Sequence, residues 1–237
     1  MTDITLSSDI DVRLVQHMGS DSGIVAAARV STSGAASVDE FDTAEGKGLI
    51  NFLLKNRHGT PFEHNAMTFY VRAPIFVFRE WHRHRIGWSY NEESGRYKQL
   101  DPEFYVPARE RNLVQVGKTG AYEFVPGTDS DYSVTVVGHE SVARVAYANY
   151  ERLLEQGIAK EVARMTLPVN IYSSMYATCN ARSLMAFLSL RTKHEDSKFP
   201  SYPQREIEMG AEKMEAVFAD LFPITYEAFV KHGRVCP

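Results

Sequence analysis

Cysteine is scarce: Cys179 and Cys236 are the only two in a chain of 237 residues. Two thiols supply neither a disulfide framework nor a metal cluster, and no His-Glu-x-x-His spacing offers a metal site by another route. No apolar run comes near the roughly 20 residues that a membrane span requires. Met1-Thr2-Asp3-Ile4-Thr5 has neither a basic start nor an apolar block, so no secretory leader is expected. A basic excess is missing too, since Lys and Arg number 26 against 30 Asp and Glu, a formal net charge of −4. Surfaces that coat nucleic acid or anionic membranes select the opposite sign. Without internal repeats or low-complexity tracts, solenoids and linker-separated domains have no support. What remains is a globular, cytoplasmic chain, expected to be an enzyme. It is long enough to bury about 70–75% of its unfolded surface with no disulfide or structural metal.

Apolar spacing predicts a strand over 11–16 and a helix over 23–30, capped by Ser20-Asp21-Ser22 and turning Ile24 and Val25 inward. Residues 31–42, rich in Ser, Gly, Ala and Asp, read as a loop. Thr43 is expected to cap a helix through Leu49, Ile50, Phe52, Leu53 and Leu54, which 56–61 terminates. Residues 67–72 have strand character, and Pro74 suits the first turn of a helix bearing Ile75, Phe76, Phe78 and Trp81. The stretch 85–135 is turn-rich and aromatic, with short strands that periodicity does not place. Helices are expected over 136–154, 159–167 (stopped by Pro168), 180–191, 203–221 and 224–232, with a β-favouring stretch at 169–178. Helix exceeds strand and the strands are scattered among helices, which predicts α+β architecture, a single domain over 1–237.

The densest chemistry lies between Arg79 and Tyr97. Arg79, Arg83, Arg85 and Arg96, with His82 and His84, fall in a short stretch of an acidic chain. A charge run alone is usually a solvated helix face. Here the arginines are interleaved with Trp81, Trp88, Tyr90 and Tyr97, and with Ser89, Asn91, Ser94 and Gly95. Guanidinium forks pair bidentately with phosphate oxygens, Ser-Gly offers a hydroxyl and an open backbone N–H, and aromatic rings offer stacking surface. Single-stranded nucleic acid uses the same parts. The net acidity and shortness of the patch favour a small phosphorylated ligand.

The segment resembles the signature of the flavin-dependent thymidylate synthases, Arg-His-Arg-x-x-Ser-x-Asn-Glu-x-Ser-x-Arg. It is matched by Arg83-His84-Arg85, Ser89, Asn91-Glu92, Ser94 and Arg96. Ile86-Gly87-Trp88 sets three residues where the signature has two, and Gly87 is expected to absorb the extra one as a bulge or wider turn. His58-Gly59-Thr60-Pro61-Phe62-Glu63-His64 is similar to the family's flavin-contacting stretch. Glu161-Val162-Ala163-Arg164 with Leu167-Pro168 resembles a second block, and Cys179-Asn180-Ala181-Arg182 through Leu188-Ser189-Leu190-Arg191 a third. Taken alone, each has a bland reading: a structural Thr-Pro turn, an exposed i,i+3 ion pair, a helix C-terminal arginine favoured by the dipole. On an ideal helix Asn180 and Arg191 share a face about 16 Å apart, while Arg182 points elsewhere, so one helix can serve two ligands or two subunits.

The resemblance implies the family's α+β fold, FAD as cofactor, NADPH and methylenetetrahydrofolate as co-substrates, and reductive C5-methylation of dUMP. It implies a homotetramer with active sites between subunits, no nucleic acid or membrane partner, and no resident metal. Arg191 is then the catalytic residue, polarising the uracil. Arg83, Ser94, Gly95, Arg96 and Arg164, with Glu80 and Glu93, hold the nucleotide, and Glu92 orients both ligands. His58 lies near the flavin ring and Thr60 near its phosphates, while Arg83, His84, Arg85, Asn180 and Arg182 also hold FAD. Ala186 falls where some relatives place a polar flavin contact, so that contact is not carried over. Cys179 has no base beside it and reads as a buried inert thiol. Ser94, between Glu93 and Gly95, suits binding better than nucleophilic attack. The same motifs fit C5-methylation of UMP in nucleoside biosynthesis, because they do not report the 2′ position. A flavin-free RNA-binding module is the reading from another class.

Overall fold

Met67, Phe69 and Val71 are fully buried while Thr68, Tyr70 and Arg72 between them stay half-buried, the period of two that makes a strand. The computed structural model describes residues 3–41, 45–119 and 121–237. Its strands are β1 (Thr5–Ser7), β2 (Asp11–Met18), β3 (Ala66–Pro74), β4 (Trp88–Glu92), β5 (Glu103–Tyr105), β6 (Val114–Lys118), β7 (Ala121–Val125) and β8 (Tyr172–Cys179). Its helices are α1 (Asp21–Ser33), α2 (Lys47–Lys55), α3 (Ile75–Trp81), α4 (Asp129–Glu155), α5 (Lys160–Ala163), α6 (Ala181–Arg191), α7 (Arg205–Leu221) and α8 (Pro223–Lys231). Short 3-10 segments occupy Gly34–Glu40, Thr60–Glu63 and Arg164–Thr166. The elements pack as two units. The first holds residues up to Asp9, Arg72–Arg79 and Glu92–Ser174; the second holds Ile10–Val71, Glu80–Asn91 and Met175–Pro237.

In the first unit β1 pairs in parallel with β5, Leu6 opposite Phe104, and β6 pairs antiparallel with β7. Leu100, Phe104, Ala143, Tyr147, Tyr150 and Ile171 form its core. Two buried tyrosines of α4 find polar partners there. Tyr147 donates its hydroxyl to the Leu100 carbonyl at 2.9 Å, and the Leu100 N–H donates to Tyr150 Oη at 3.3 Å. Buried hydroxyls and peptide groups thus satisfy one another, and α4 grips the chain just after the Ser94-Gly95-Arg96 turn.

The second unit carries a four-stranded sheet of order β2-β3-β8-β4. Helix α7 packs on α6 and β2, and α8 on α2 and α7. The packing of α7 requires Gly210, where a Cβ would come 3.0 Å from the buried Trp81 ring. Helix α8 lacks a cap of its own and receives one from a distant residue. The buried Asp21 carboxylate accepts from Ile224 N–H at 2.8 Å, Thr225 N–H at 3.0 Å and Thr225 Oγ1 at 2.6 Å. Orphan donors and the positive helix end are satisfied together.

The α+β class expected from the sequence is the one observed, with corrections to its parts. Residues 31–33 continue α1 rather than opening a loop, because Ser31 and Thr32 donate back to the carbonyls of Ala28 and Arg29. Residues 34–40 then form 3-10 helix, after Gly34 ends α1 at φ +56°. Thr43, expected to cap α2, lies outside the described residues; the N-cap of that helix is Gly46. Helix α4 begins at Asp129, not at 136. Thr128 and Asp131 close a capping box, Thr128 Oγ1 accepting from Asp131 N–H at 3.2 Å and Asp131 Oδ2 from Thr128 N–H at 2.8 Å. Its first turns are polar, so apolar periodicity is silent there. Residues 159–167 are not one helix: α5 covers four residues and tightens into 3-10 geometry at Arg164, ahead of Pro168. Pro223 opens α8 at its first position instead of separating two helices. The unplaced stretch 85–135 resolves into β4 to β7 and the start of α4.

Candidate active site

The first unit brings two separated motif blocks together. Ser94-Gly95-Arg96 is a turn in which the Ser94 carbonyl accepts from Tyr97 and Lys98 N–H, and Ser94 Oγ accepts from Arg96 N–H at 3.3 Å. Gly95 is buried. A Cβ there would meet Arg164 Cδ and Leu100 Cδ1, each at 3.2 Å, so the Arg164 stem lies across the turn. Arg96 Nε pairs with Glu161 Oε2 at 3.2 Å. Glu93 is tied down twice: its N–H donates to the Ser174 carbonyl at 2.8 Å, and its carboxylate takes Lys98 Nζ at 2.8 Å and Ser174 Oγ at 3.2 Å. Glu93, then Asp101, holds the Lys98 ammonium protonated more firmly than an ordinary lysine. Glu92 closes β4 and is half-buried. Arg164 is exposed, and its guanidinium has no hydrogen bond or ion pair among the described residues. A hydroxyl, a close-approach glycine and two arginines make a donor set suited to a phosphate.

In the second unit, Arg191 ends α6 and meets the segment after α3. Its Nε–H donates to His84 Nε2 at 2.9 Å, and Nη1 pairs with Glu80 Oε2 at 2.5 Å. The Arg191 side chain is 15% exposed. Burial, then the Arg191 and Arg83 charges, pulls the His84 imidazole down from 6.5 to about 4, so it is neutral and can accept that bond. Tyr90 donates its hydroxyl to the His84 carbonyl at 2.7 Å and lies 3.2 Å from that of Trp81, which fixes the turn from below. Burial pushes the Tyr90 hydroxyl well above the ordinary tyrosine range, so it remains a donor.

Of the aromatic rings that composition offers as stacking surface, three are engaged in packing within the chain. Trp81 is fully buried and stacks on Phe187 at 5.1 Å; Trp88 stacks on Tyr90 at 5.6 Å and leans on Phe187. They form the floor on which the Arg83-His84-Arg85 turn rests. Tyr97 alone stays largely exposed, beneath the Arg96 guanidinium. Gly87 takes up the additional residue at φ +68°, as its expected turn requires. There Ser183 Oγ donates to the Ile86 carbonyl at 2.9 Å.

A second cluster surrounds Arg182. Its Nε donates to the Pro237 carbonyl at 2.8 Å and Nη1 pairs with Glu63 at 2.5 Å. Gly59 lies directly beneath: a Cβ there would stand 2.5 Å from Arg182 Cζ. His58 is exposed, with its ring edge-on to Phe52 at 5.7 Å, and Thr60 is exposed. Arg182 and Arg191 meet different partners along α6, as expected, and Asn180 stands at the end of the helix rather than within it. It is the extended N-cap of α6, and its side-chain oxygen accepts from Ser183 N–H at 2.8 Å, because a short carboxamide at a strand-to-helix junction satisfies an orphan donor. Arg83 and Arg85 are exposed, and neither guanidinium has a partner among the described residues. Two unpaired arginines, and a guanidinium over a glycine with no room for a Cβ, fit a diphosphate-bearing cofactor such as FAD.

Cys179 is buried and burial pushes its thiol far above the range where a thiolate forms; burial raises Cys236 likewise, and its Sγ lies 3.3 Å from the Arg182 carbonyl. Neither suits nucleophilic attack. Sequence reading assigns no role to Glu63, Lys98 or Ser183, which anchor Arg182, Glu93 and the Ile86 carbonyl. Glu63 and Ser183 lie in stretches singled out by resemblance; Lys98 does not. Among the described residues no group of three His, Cys, Asp or Glu could hold a metal, and no helix is long and apolar enough to cross a membrane.

Comparison with known proteins extends this geometry. A family model described as Thymidylate synthase complementing protein matches residues 13–224. A flavin-dependent thymidylate synthase of Streptomyces coelicolor is 59% identical over 236 residues, 99% of this chain and 96% of the relative. One of Tropheryma whipplei is 55% identical over 231 residues, 97% of this chain and 96% of the relative. The solved UMP/dUMP methylase PolB of Streptomyces cacaoi bound with 5-Br UMP has a TM-score of 0.91 at 52% identity, covering 99% of both chains. The same enzyme bound with 5-Br dUMP gives 0.92 at 52% identity, covering 99% of this chain and 100% of the other. With the signature in order and nearly the whole length matched, the chain belongs to the flavin-dependent thymidylate synthase family.

Proposed function

We propose that this protein converts dUMP to dTMP by reductive C5-methylation, with FAD as cofactor and methylenetetrahydrofolate and NADPH as co-substrates. The observation that carries this reading is the near full-length identity of 59% to a flavin-dependent thymidylate synthase. Arg191 is the residue that acts on the uracil. A guanidinium beside the N3/O2 edge stabilises negative charge that develops on the ring, which makes C5 nucleophilic without a protein thiol. The inert environments of both cysteines agree with that chemistry. Ser94, Gly95, Arg96 and Arg164 hold the phosphate, with Arg83, Glu80 and Glu93 also on the nucleotide and Glu92 orienting both ligands. Arg83, His84, Arg85, His58, Thr60, Asn180 and Arg182 hold FAD, which when bound supplies the reducing equivalents. The active enzyme is a homotetramer with residues of different subunits in each site.

A second reading is favoured by one observation: PolB, at 52% identity, is a UMP/dUMP methylase solved with both 5-Br nucleotides. C5-methylation of UMP uses the same residues and differs at the sugar. Replacement of the C5 hydrogen by carbon expels that hydrogen to water, so tritium release from 5-tritiated dUMP and UMP, side by side with folate donor, NADPH and FAD, separates the two. Release from dUMP alone is expected. Substantial release from UMP makes the protein a nucleoside-modifying methylase, and release from neither overturns both.

A further inference from the structure

An arginine that polarises a uracil must hold one orientation, and a free arginine side chain carries about 2 kcal/mol of rotamer entropy against doing so. Two contacts remove that freedom from Arg191. Nε–H points at His84 Nε2 (2.9 Å) and Nη1 at Glu80 Oε2 (2.5 Å), while Nη2 has no hydrogen bond to any described residue. Since the Arg191 Nε–H can only donate, His84 Nε2 must be the bare, accepting nitrogen of the ring and Nδ1 the protonated one.

His84 is itself immobilised. Its N–H donates to the Trp81 carbonyl at 3.0 Å, its carbonyl accepts from Tyr90 at 2.7 Å, and its ring sits edge-on to Phe187 at 4.8 Å. Phe187 belongs to α6, the helix that ends in Arg191. The acceptor and the arginine it grips are therefore referred to the same rigid helix.

We propose that His84 is a positioning residue for Arg191: as the neutral Nδ1–H tautomer it accepts the Arg191 Nε–H and, with Glu80, aims the guanidinium so that Nη2 is left for the substrate. This rests on the reading of Arg191 as the residue that polarises the uracil. It gives the His84 Nε2 lone pair a task distinct from cofactor binding. The depressed basicity of the ring, lowered by burial and then by the Arg191 and Arg83 charges, keeps that lone pair available at neutral pH.

The test compares His84→Leu with His84→Gln in the full-length, FAD-loaded protein. Leu keeps the apolar packing on Phe187 and has no acceptor; the Gln carboxamide oxygen can accept from Arg191 but packs less well. A positioning role ranks Gln above Leu, and a purely structural role ranks them the other way. The expected result is a fall in kcat for dUMP, measured per bound flavin, of roughly 10- to 100-fold in His84→Leu, and recovery of most of that loss in His84→Gln. Should the Leu variant fail to fold, His84→Met replaces it, with similar reach and only a weak sulfur acceptor. Leu (or Met) turnover equal to or above that of Gln overturns the proposal, as does loss of flavin from both variants. Arg191→Ala, assayed alongside, separates the levels. Near-normal turnover in it removes the underlying reading, whereas an inactive Arg191→Ala beside an unimpaired His84→Leu removes only the positioning role.

Discussion

Ser183 Oγ donates to the carbonyl of Ile86, and the space beside that bond is where a side chain on Gly87 would fall. The inserted residue of the signature is thus accommodated by a left-handed glycine pressed on the first turn of α6. Gly87→Ala introduces both a Cβ at φ +68° and a clash with Ser183. It should destabilise the protein by about 1–3 kcal/mol, read as a lowered urea midpoint, with further loss of activity as the Arg83-His84-Arg85 turn shifts.

Arg191→Ala should keep FAD and lose methylation by several orders of magnitude, as for removal of an interaction made chiefly in the transition state. Flavin absorbance together with tritium release from 5-tritiated dUMP measures both. Retained turnover would take Arg191 out of the chemistry.

Ser94→Ala should weaken nucleotide binding and leave turnover at saturating dUMP close to normal. The Ser94 hydroxyl sits in a turn beside Arg96 and Arg164, with no base in reach among its hydrogen bonds. A KM increase with kcat preserved is expected; complete inactivity with intact binding would make Ser94 a nucleophile.

Acid should weaken the fold between pH 6.5 and about 4. An imidazole in the unfolded chain takes up a proton near 6.5, while folded His84 declines it until about 4. Over that window the unfolded state binds more protons, so stability is complete above 6.5 and falls as pH decreases. His84→Gln should flatten this part of a denaturant-midpoint-against-pH curve; an unchanged slope would mean that His84 titrates normally.

Asp21→Ala should cost about 1–3 kcal/mol, because three donors at the start of α8, two of them buried, lose their shared acceptor. Thermal melting of the FAD-loaded protein reads this loss. Asp21→Asn retains one acceptor oxygen and should fall between.

Much of the fold was legible where one periodicity ran long enough. Strand β3 alternates cleanly, and α7 and α8 were expected within a few residues of their ends. The misses share a cause. At 31–33 and 129–135 the helices are continued or begun by hydroxyl and carboxylate hydrogen bonds, not by an apolar face, so hydrophobic spacing carries no signal there. The Thr128-x-x-Asp131 cap is a local pattern that could have set the start of α4. At the site, residue types and order suggested the basic turn, but not that Trp81 and Trp88 would lie under it. Composition does not say which face of a ring is covered. Nor does spacing along α6 reveal that Asn180 turns back to cap the helix, since a face argument assumes a residue already helical. The grip of His84 on Arg191 joins residues 107 positions apart and has no sequence signature.

Around Ser94, most positive charge already has a companion. Arg96 rests against Glu161, and Lys98 against Glu93 and Asp101. On the proposed reading of this site, an arriving phosphate would compete with resident carboxylates for Arg96 and Lys98 and find Arg164 unclaimed. Field strength alone is a weak credential under such terms: chloride or a long polyanion brings charge without the reach to Arg164 and the Ser94 turn together. The affinity of such a place should change only gently with ionic strength, unlike a bare cationic groove that condenses whatever anion is most abundant.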